Sequence, residues 1–273
     1  MNEILSLGFM QRAIVAGSIV SIVGGILSIF VLLRKMAFIG VGISHSAFGG
    51  VAIGFLLSID PFWSGISFSV MIALLIEWTR KRGKIEEDTS IGILFSFSMA
   101  MGVIFIALSK RYNVDLFGYL FGNILAIGKT DIFQISLWGI AVIIIVAIFF
   151  KELIYISFDE EMAWVSGIPV SFVQFLFMVL LAISIIIAIK MIGIILVSSI
   201  LVMPAAISRQ LTDNIREMFL ISIITSLFST IGGLFLSYLL DLPSGAVIVM
   251  VLGILFFIIL SFNRFYGRKG EGF

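Results

Sequence analysis

Apolar residues fill this chain in membrane-length blocks, separated by short clusters of charge, glycine and proline. A helix needs roughly 20 apolar residues to cross the hydrocarbon core of a bilayer. Cutting the chain at its charges on that basis predicts spans over 13–33, 36–57, 62–78, 90–109, 131–150, 170–189, 191–207, 219–240 and 244–262. The weakest division lies at Lys190-Met191, where two spans meet with almost no loop, and a broken or re-entrant helix there lowers the count from nine to eight. The expected fold is an all-α polytopic membrane protein, one bundle of eight or nine transmembrane helices forming a single domain over residues 1–273. Composition agrees. With 61% hydrophobic and 12% charged residues and a mean hydropathy of +1.24, the chain has too little polar surface to coat a soluble globule.

The basic residues are unevenly divided among the loops. Arg34, Lys35, Arg80, Lys81, Arg82, Lys84, Lys151, Arg209, Arg216, Arg264, Arg268 and Lys269 fall on one side, against Arg12, Lys110, Arg111, Lys129 and Lys190 on the other. Lys and Arg near span ends are retained in the cytoplasm, so the first set is expected inside, with the N-terminus outside if there are nine spans. The opening stretch has an acidic residue and no basic n-region, so its span is expected to be retained rather than cleaved as a signal.

Residues 36–57, MAFIGVGISHSAFGGVAIGFLL, carry the chain's one histidine, His45. On a helix, Gly42, Ser46, Gly50 and Gly54 form a smooth stripe for close packing, and His45 lies beside it. An imidazole at bilayer depth is costly unless it faces protein, water or a ligand. Two readings stay open: a transport site, or a histidine hydrogen-bonded to a neighbouring helix. In a second segment, 190–210, Pro204 is expected to free a carbonyl near Ile200, with Ser198 and Ser199 at hand to satisfy it. That arrangement is either a polar patch at depth or an ordinary packing kink.

Two loops are more than connectors. On the outer side, 110–130 holds an apolar run too short to span, read either as a short helix dipping into the outer mouth, with Asp115 and Asn123 as its polar groups, or as a helix packed on the bundle surface. On the inner side, 157–169, SFDEEMAWVSGIP, has Ser157 and Glu160 at capping-box spacing, Gly167 for a left-handed stop and Pro169 beyond it. Phe158, Met162 and Val165 share one face, and Asp159, Glu160 and Glu161 favour the helix N-terminus. Such a helix is a docking element for a partner or lies on lipid. Its three acids oppose the lipid reading, because the inner leaflet is itself negative.

Some chemistry is excluded. There is no P-loop, a single histidine allows no H-E-x-x-H, and the absence of cysteine removes disulfides and thiolate ligands. A formal charge of +1 gives no basic face for nucleic acid. No G-x-S-x-G elbow surrounds Ser198 or Ser199, so no enzyme active site is expected.

Six motifs in order, MAFIGVGISHSAFGG, EDTSIGILFS, YLFGNILAI, DEEMAWVSGIP, VSSILVMPAAISR and DLPSGAVIVMVLG, make nearly the whole chain resemble the permease subunits of bacterial metal-cation ABC importers, which are similar to vitamin B12 and siderophore importers. The resemblance implies a multi-pass permease in the bacterial cell (inner) membrane, working as a homodimer in the lipid bilayer. It also implies a separate ATP-binding subunit, an extracellular metal-binding lipoprotein, and zinc, manganese or ferrous iron as substrate, with no cofactor in this chain. By position, the coupling helix for the ATPase covers Asp159, Glu160, Glu161, Met162, Val165 and Gly167, and His45 is the candidate pathway ligand. One departure stands out: relatives usually carry an aspartate one helical turn before the histidine, where this chain has Val41. Ser44 and Ser46, or carboxylates from elsewhere, are the candidates to compensate. A secondary transporter or a polytopic membrane enzyme are the alternatives, but neither inverted repeats nor a catalytic set are evident.

Overall fold

The computed structural model describes residues 7–83, 85–109 and 127–266. In chain order its helices are α1 (Gly8–Leu33), α2 (Ile39–Leu57), α3 (Pro61–Gly83), α4 (Glu87–Ser109), α5 (Lys129–Ile148), α6 (Phe150–Phe158), α7 (Glu160–Val165), α8 (Val170–Ile200), α9 (Met203–Leu211), α10 (Ile215–Leu240) and α11 (Ser244–Tyr266). Among the described residues nine stretches are long and apolar enough to cross a membrane, two of them within α8 and α9: Val170–Ile189 and Ile192–Leu211.

The division expected at Lys190-Met191 falls between those two spans, and the backbone breaks just after it, at Gly193, whose φ of 80° and ψ of 167° no other residue type adopts readily. Ser184 and Ala188 line the same small gap as Val197 and Leu201, so the chain folds back along itself after Gly193. Pro204 acts differently from expectation. It sits in the first turn of α9, where a missing N–H costs nothing, so the chain restarts a helix there instead of kinking one. The hydroxyls of Ser198 and Ser199 donate to the carbonyls of Ile194 and Ile195, one turn back, and not toward Ile200.

α8 is the central column and touches α1, α2, α3, α5 and α11. Around it, α2 lies between α3 and α4, while α1 packs on α5 and α10. Apolar burial contributes little to association where lipid is the alternative, so close approach and hydrogen bonds matter more. Between α1 and α10 a seam of hydroxyls supplies them: Ser21 donates to Thr230 (2.6 Å), Ser28 and Ser222 pair at 3.0 Å, and Ser222 donates to the Gly25 carbonyl (2.8 Å).

The small-residue stripe of α2 makes the close approaches that its spacing predicts. A Cβ on Gly50 would lie 2.6 Å from the Phe68 Cβ, 2.8 Å from the Ser64 carbonyl oxygen and 2.9 Å from the Gly65 Cα. Gly54 would strike Ser64 and Pro61 on the same neighbour, whereas Gly42 would strike Ile91 and Gly49 the Ser98 carbonyl on α4. Gly50→Ala is therefore expected to destabilise the protein by about 1–3 kcal/mol, the usual range for overpacking. Gly232→Ala, with nothing within 4 Å of the new methyl, serves as control. Thermal unfolding in detergent compares the two, and equal midpoints would show that α2 has room to shift.

Candidate functional site

α2 presents Val41, His45 and Phe48, one turn apart, on a face that stays partly open while the stripe beside it is sealed. His45 Nδ1 lies 3.0 Å from the Val41 carbonyl oxygen. A carbonyl only accepts, so Nδ1 carries a proton, and in the neutral ring Nε2 keeps its lone pair. Among the described residues Nε2 has no hydrogen bond; the ring meets Phe95 of α4 edge-on, centroids 5.4 Å apart. The Val41 backbone, one turn before the imidazole, thus orients it.

Both neighbouring serines are buried. Ser44 is fully buried, donates to the Val41 carbonyl (3.0 Å) and lies 3.3 Å from His45 Nδ1. Ser46 is fully buried in the packed stripe, its hydroxyl without a partner. Among the described residues no three His, Asp or Glu side chains converge as a metal site. Asp115 and Asn123 lie outside the described residues.

The second feature is α7. Asp159, not Ser157, is its N-cap: the Asp159 carboxylate accepts from the Met162 N–H (2.9 Å), whereas the Ser157 hydroxyl donates to Leu153 inside α6. The capping-box reading is therefore displaced by two residues, because α6 runs on to Phe158 and only Asp159 adopts the extended conformation a cap requires. The other end follows expectation. Gly167 has φ +81°, its N–H donates to Trp164, and the Ile168 N–H donates to Ala163, the paired bonds of a Schellman stop. Only Ala163 of α7 is buried. Met162 and Val165 are 60% and 72% exposed, with Phe158 just before them 62% exposed. Trp164, at 73%, is more exposed still. Sequence reasoning passed over it; a tryptophan between two apolar residues in an otherwise acidic hexapeptide was the available signal.

Glu160, the first residue of α7, reaches into a charged cluster at the ends of α1, α3 and α4. Arg80 binds Glu77 (2.9 Å), Glu87 (3.1 Å) and Glu160 (3.1 Å), and Lys81 binds Glu77 (3.2 Å). A cavity of about 790 Å³ opens beside them, lined also by Arg34 and the buried Gln174. Arg34 lies over the Phe177 ring, 4.9 Å from its centroid. Burial lowers its pKa, opposed by the attraction of Glu87, Glu77 and Glu160.

The comparisons with known proteins converge. The manganese transport system membrane protein MntC of Listeria innocua is 38% identical over 262 residues, 96% of this chain and 93% of that protein. The high-affinity zinc uptake system membrane protein ZnuB of Haemophilus influenzae is 33% identical, over 89% of this chain and 94% of that protein. Among solved structures, PsaBC from Streptococcus pneumoniae in complex with Fab matches with a TM-score of 0.83 at 33% identity, covering 97% of this chain and 98% of that one. The model of the ABC 3 transport family matches residues 6–263, and the chain belongs to that family.

Proposed function

We propose that the chain is the transmembrane permease subunit of an ATP-driven importer of divalent metal cations, zinc, manganese or ferrous iron, in the bacterial cell membrane. Two copies enclose the path, an ATP-binding subunit docks on α7, and an extracellular metal-binding lipoprotein delivers the ion. The observation that carries this reading is His45: an imidazole within a membrane span, its Nδ1 tied to the backbone and its Nε2 lone pair left without a hydrogen bond. Family membership and the names of the relatives support it.

The path binds its ion weakly, because a conduit must release what it admits. One imidazole suits that need, and Ser44 and Ser46, sealed in the packed face, leave the ligand role on α2 to His45. Asp115 and Asn123 remain candidates for the outer mouth. Metal content of cells with and without the gene, measured for zinc, manganese and iron, tests the function. Unchanged content of all three under metal limitation would remove the importer reading.

The orientation has its own test. Asp60 and Arg82, both exposed, flank the span in α3. In this cysteine-free chain, Asp60→Cys is expected to react with an impermeant thiol reagent in intact cells, and Arg82→Cys only after the membrane is opened. The reverse pattern would invert the assigned sides.

A further inference from the structure

We propose that Arg80 is a positioning residue for transport, locking α7 to the inner ends of α3 and α4 so that movement of the docked ATPase reaches the helix pair that carries His45. The proposal rests on the reading of α7 as the docking element. Its geometry is independent of that reading.

α7 is weakly held. It has six residues, buries only Ala163, and joins α8 through the Schellman stop. Among the described residues its other polar hold on the bundle is Glu160, the N-terminal residue, whose carboxylate meets Arg80. The same guanidinium binds Glu87, the first residue of α4, and Glu77, one turn back on its own helix. A planar group with five donors can hold carboxylates from three directions at once, which a lysine ammonium on a flexible stem does less rigidly. Lys81 adds a second cation on Glu77, and Arg34 faces the group from the end of α1. Three basic side chains, Arg34, Arg80 and Lys81, thus face three acidic ones, Glu77, Glu87 and Glu160. The Glu77 and Glu87 side chains are only 9% and 17% exposed. Partly buried pairs of this kind are less screened than surface bridges, and removing the shared cation takes the ion-pair partner from Glu87 and Glu160 while Lys81 still holds Glu77.

From Glu87 the connection continues through packing. α4 meets α2 at Ile91 against Gly42, at Phe95 against the His45 ring and at Ser98 against Gly49. Ile91 and Phe95, one and two turns into α4 after Glu87, thus meet α2 at Gly42 and at the His45 ring. A displacement of α7 that pulls on Arg80 therefore acts on the end of the helix against which the imidazole rests. The cavity beside the cluster gives the charged side chains room to change partners.

The test uses the whole importer, permease, ATPase and metal-loaded binding protein, in proteoliposomes, and reads metal imported per ATP hydrolysed. A purely structural role would lower both quantities together and leave their ratio unchanged. Arg80→Gln and Glu87→Gln are each expected to retain the ATPase on purification but to lower the ratio by about three- to tenfold. Arg80→Lys, which keeps the charge and loses the fork, should fall between Arg80→Gln and the unaltered protein. If Arg80→Gln fails to assemble, Glu87→Gln, which removes one arm of the cluster, decides alone. A normal ratio in every variant that assembles overturns the proposal. Trp164→Asp tells that failure apart from failure of the docking reading: if it still co-purifies with the ATPase, α7 is not the dock; if the ATPase is lost while the Arg80 and Glu87 variants keep a normal ratio, only the role of Arg80 falls.

Discussion

His45→Ala is expected to reduce metal uptake by about tenfold or more while the permease still assembles with its partners. The side chain stands on the partly open face of α2, and its one polar contact with backbone leaves Nε2 to whatever passes. Imidazole suits zinc, manganese and ferrous iron alike, and the chain has no second one. Removing it takes away the proposed ligand and the edge-on contact with Phe95, but none of the tight contacts of that helix, which lie on its glycines. Val41→Asp makes the converse change. It places a carboxylate one turn before the imidazole, on the same partly open face, and is expected to tighten metal retention and slow release. Uptake at the normal rate in His45→Ala, together with unchanged metal binding in Val41→Asp, would return His45 to a role in helix contact.

Gly167→Pro should abolish uptake and detach the ATPase without unfolding the spans. Proline fixes φ near −65°, whereas Gly167 has φ +81°, and it also removes the N–H that closes on Trp164. Strain and the lost bond together cost about 3 kcal/mol, more than a six-residue helix with one buried side chain can absorb. Gly167→Ala keeps the N–H and costs only about 1–2 kcal/mol for the left-handed backbone, so it should give a partial defect. Glu161→Lys leaves the helix formed but reverses the charge of an exposed position, and should weaken docking alone. ATPase co-purification and uptake, measured side by side, test the series. Retention of both in Gly167→Pro would move docking to another loop.

The membrane spans were legible because length and apolarity are properties of a single segment. So was the stop at Gly167, since a glycine followed by Ile168 and Pro169 leaves few other conformations. The N-cap was misplaced by two residues because Ser157 and Asp159 are both good caps, and the choice between them depends on where α6 ends. Pro204 was recognised as a disruption, but whether proline bends a helix or begins one depends on the backbone before it, at Leu201 and Val202. Lys190 marked the division between two spans slightly early, because the conformation that turns the chain belongs to Gly193, and a glycine's φ cannot be read from its neighbours. The Arg80 cluster could not be read at all. Glu77 at i−3 is visible along one helix, but Glu160 lies 80 residues away and meets Arg80 only through tertiary packing.

The glycine contacts of α2 bear on how access to His45 can change. Where backbone rests on backbone there is no cushion of side chains to repack, and a closely packed interior has little compressibility. α2, α3 and α4 then behave as a lever rather than a spring. A tilt applied at one end arrives at the imidazole nearly undiminished, so a change in the space around His45 comes from whole helices moving past one another.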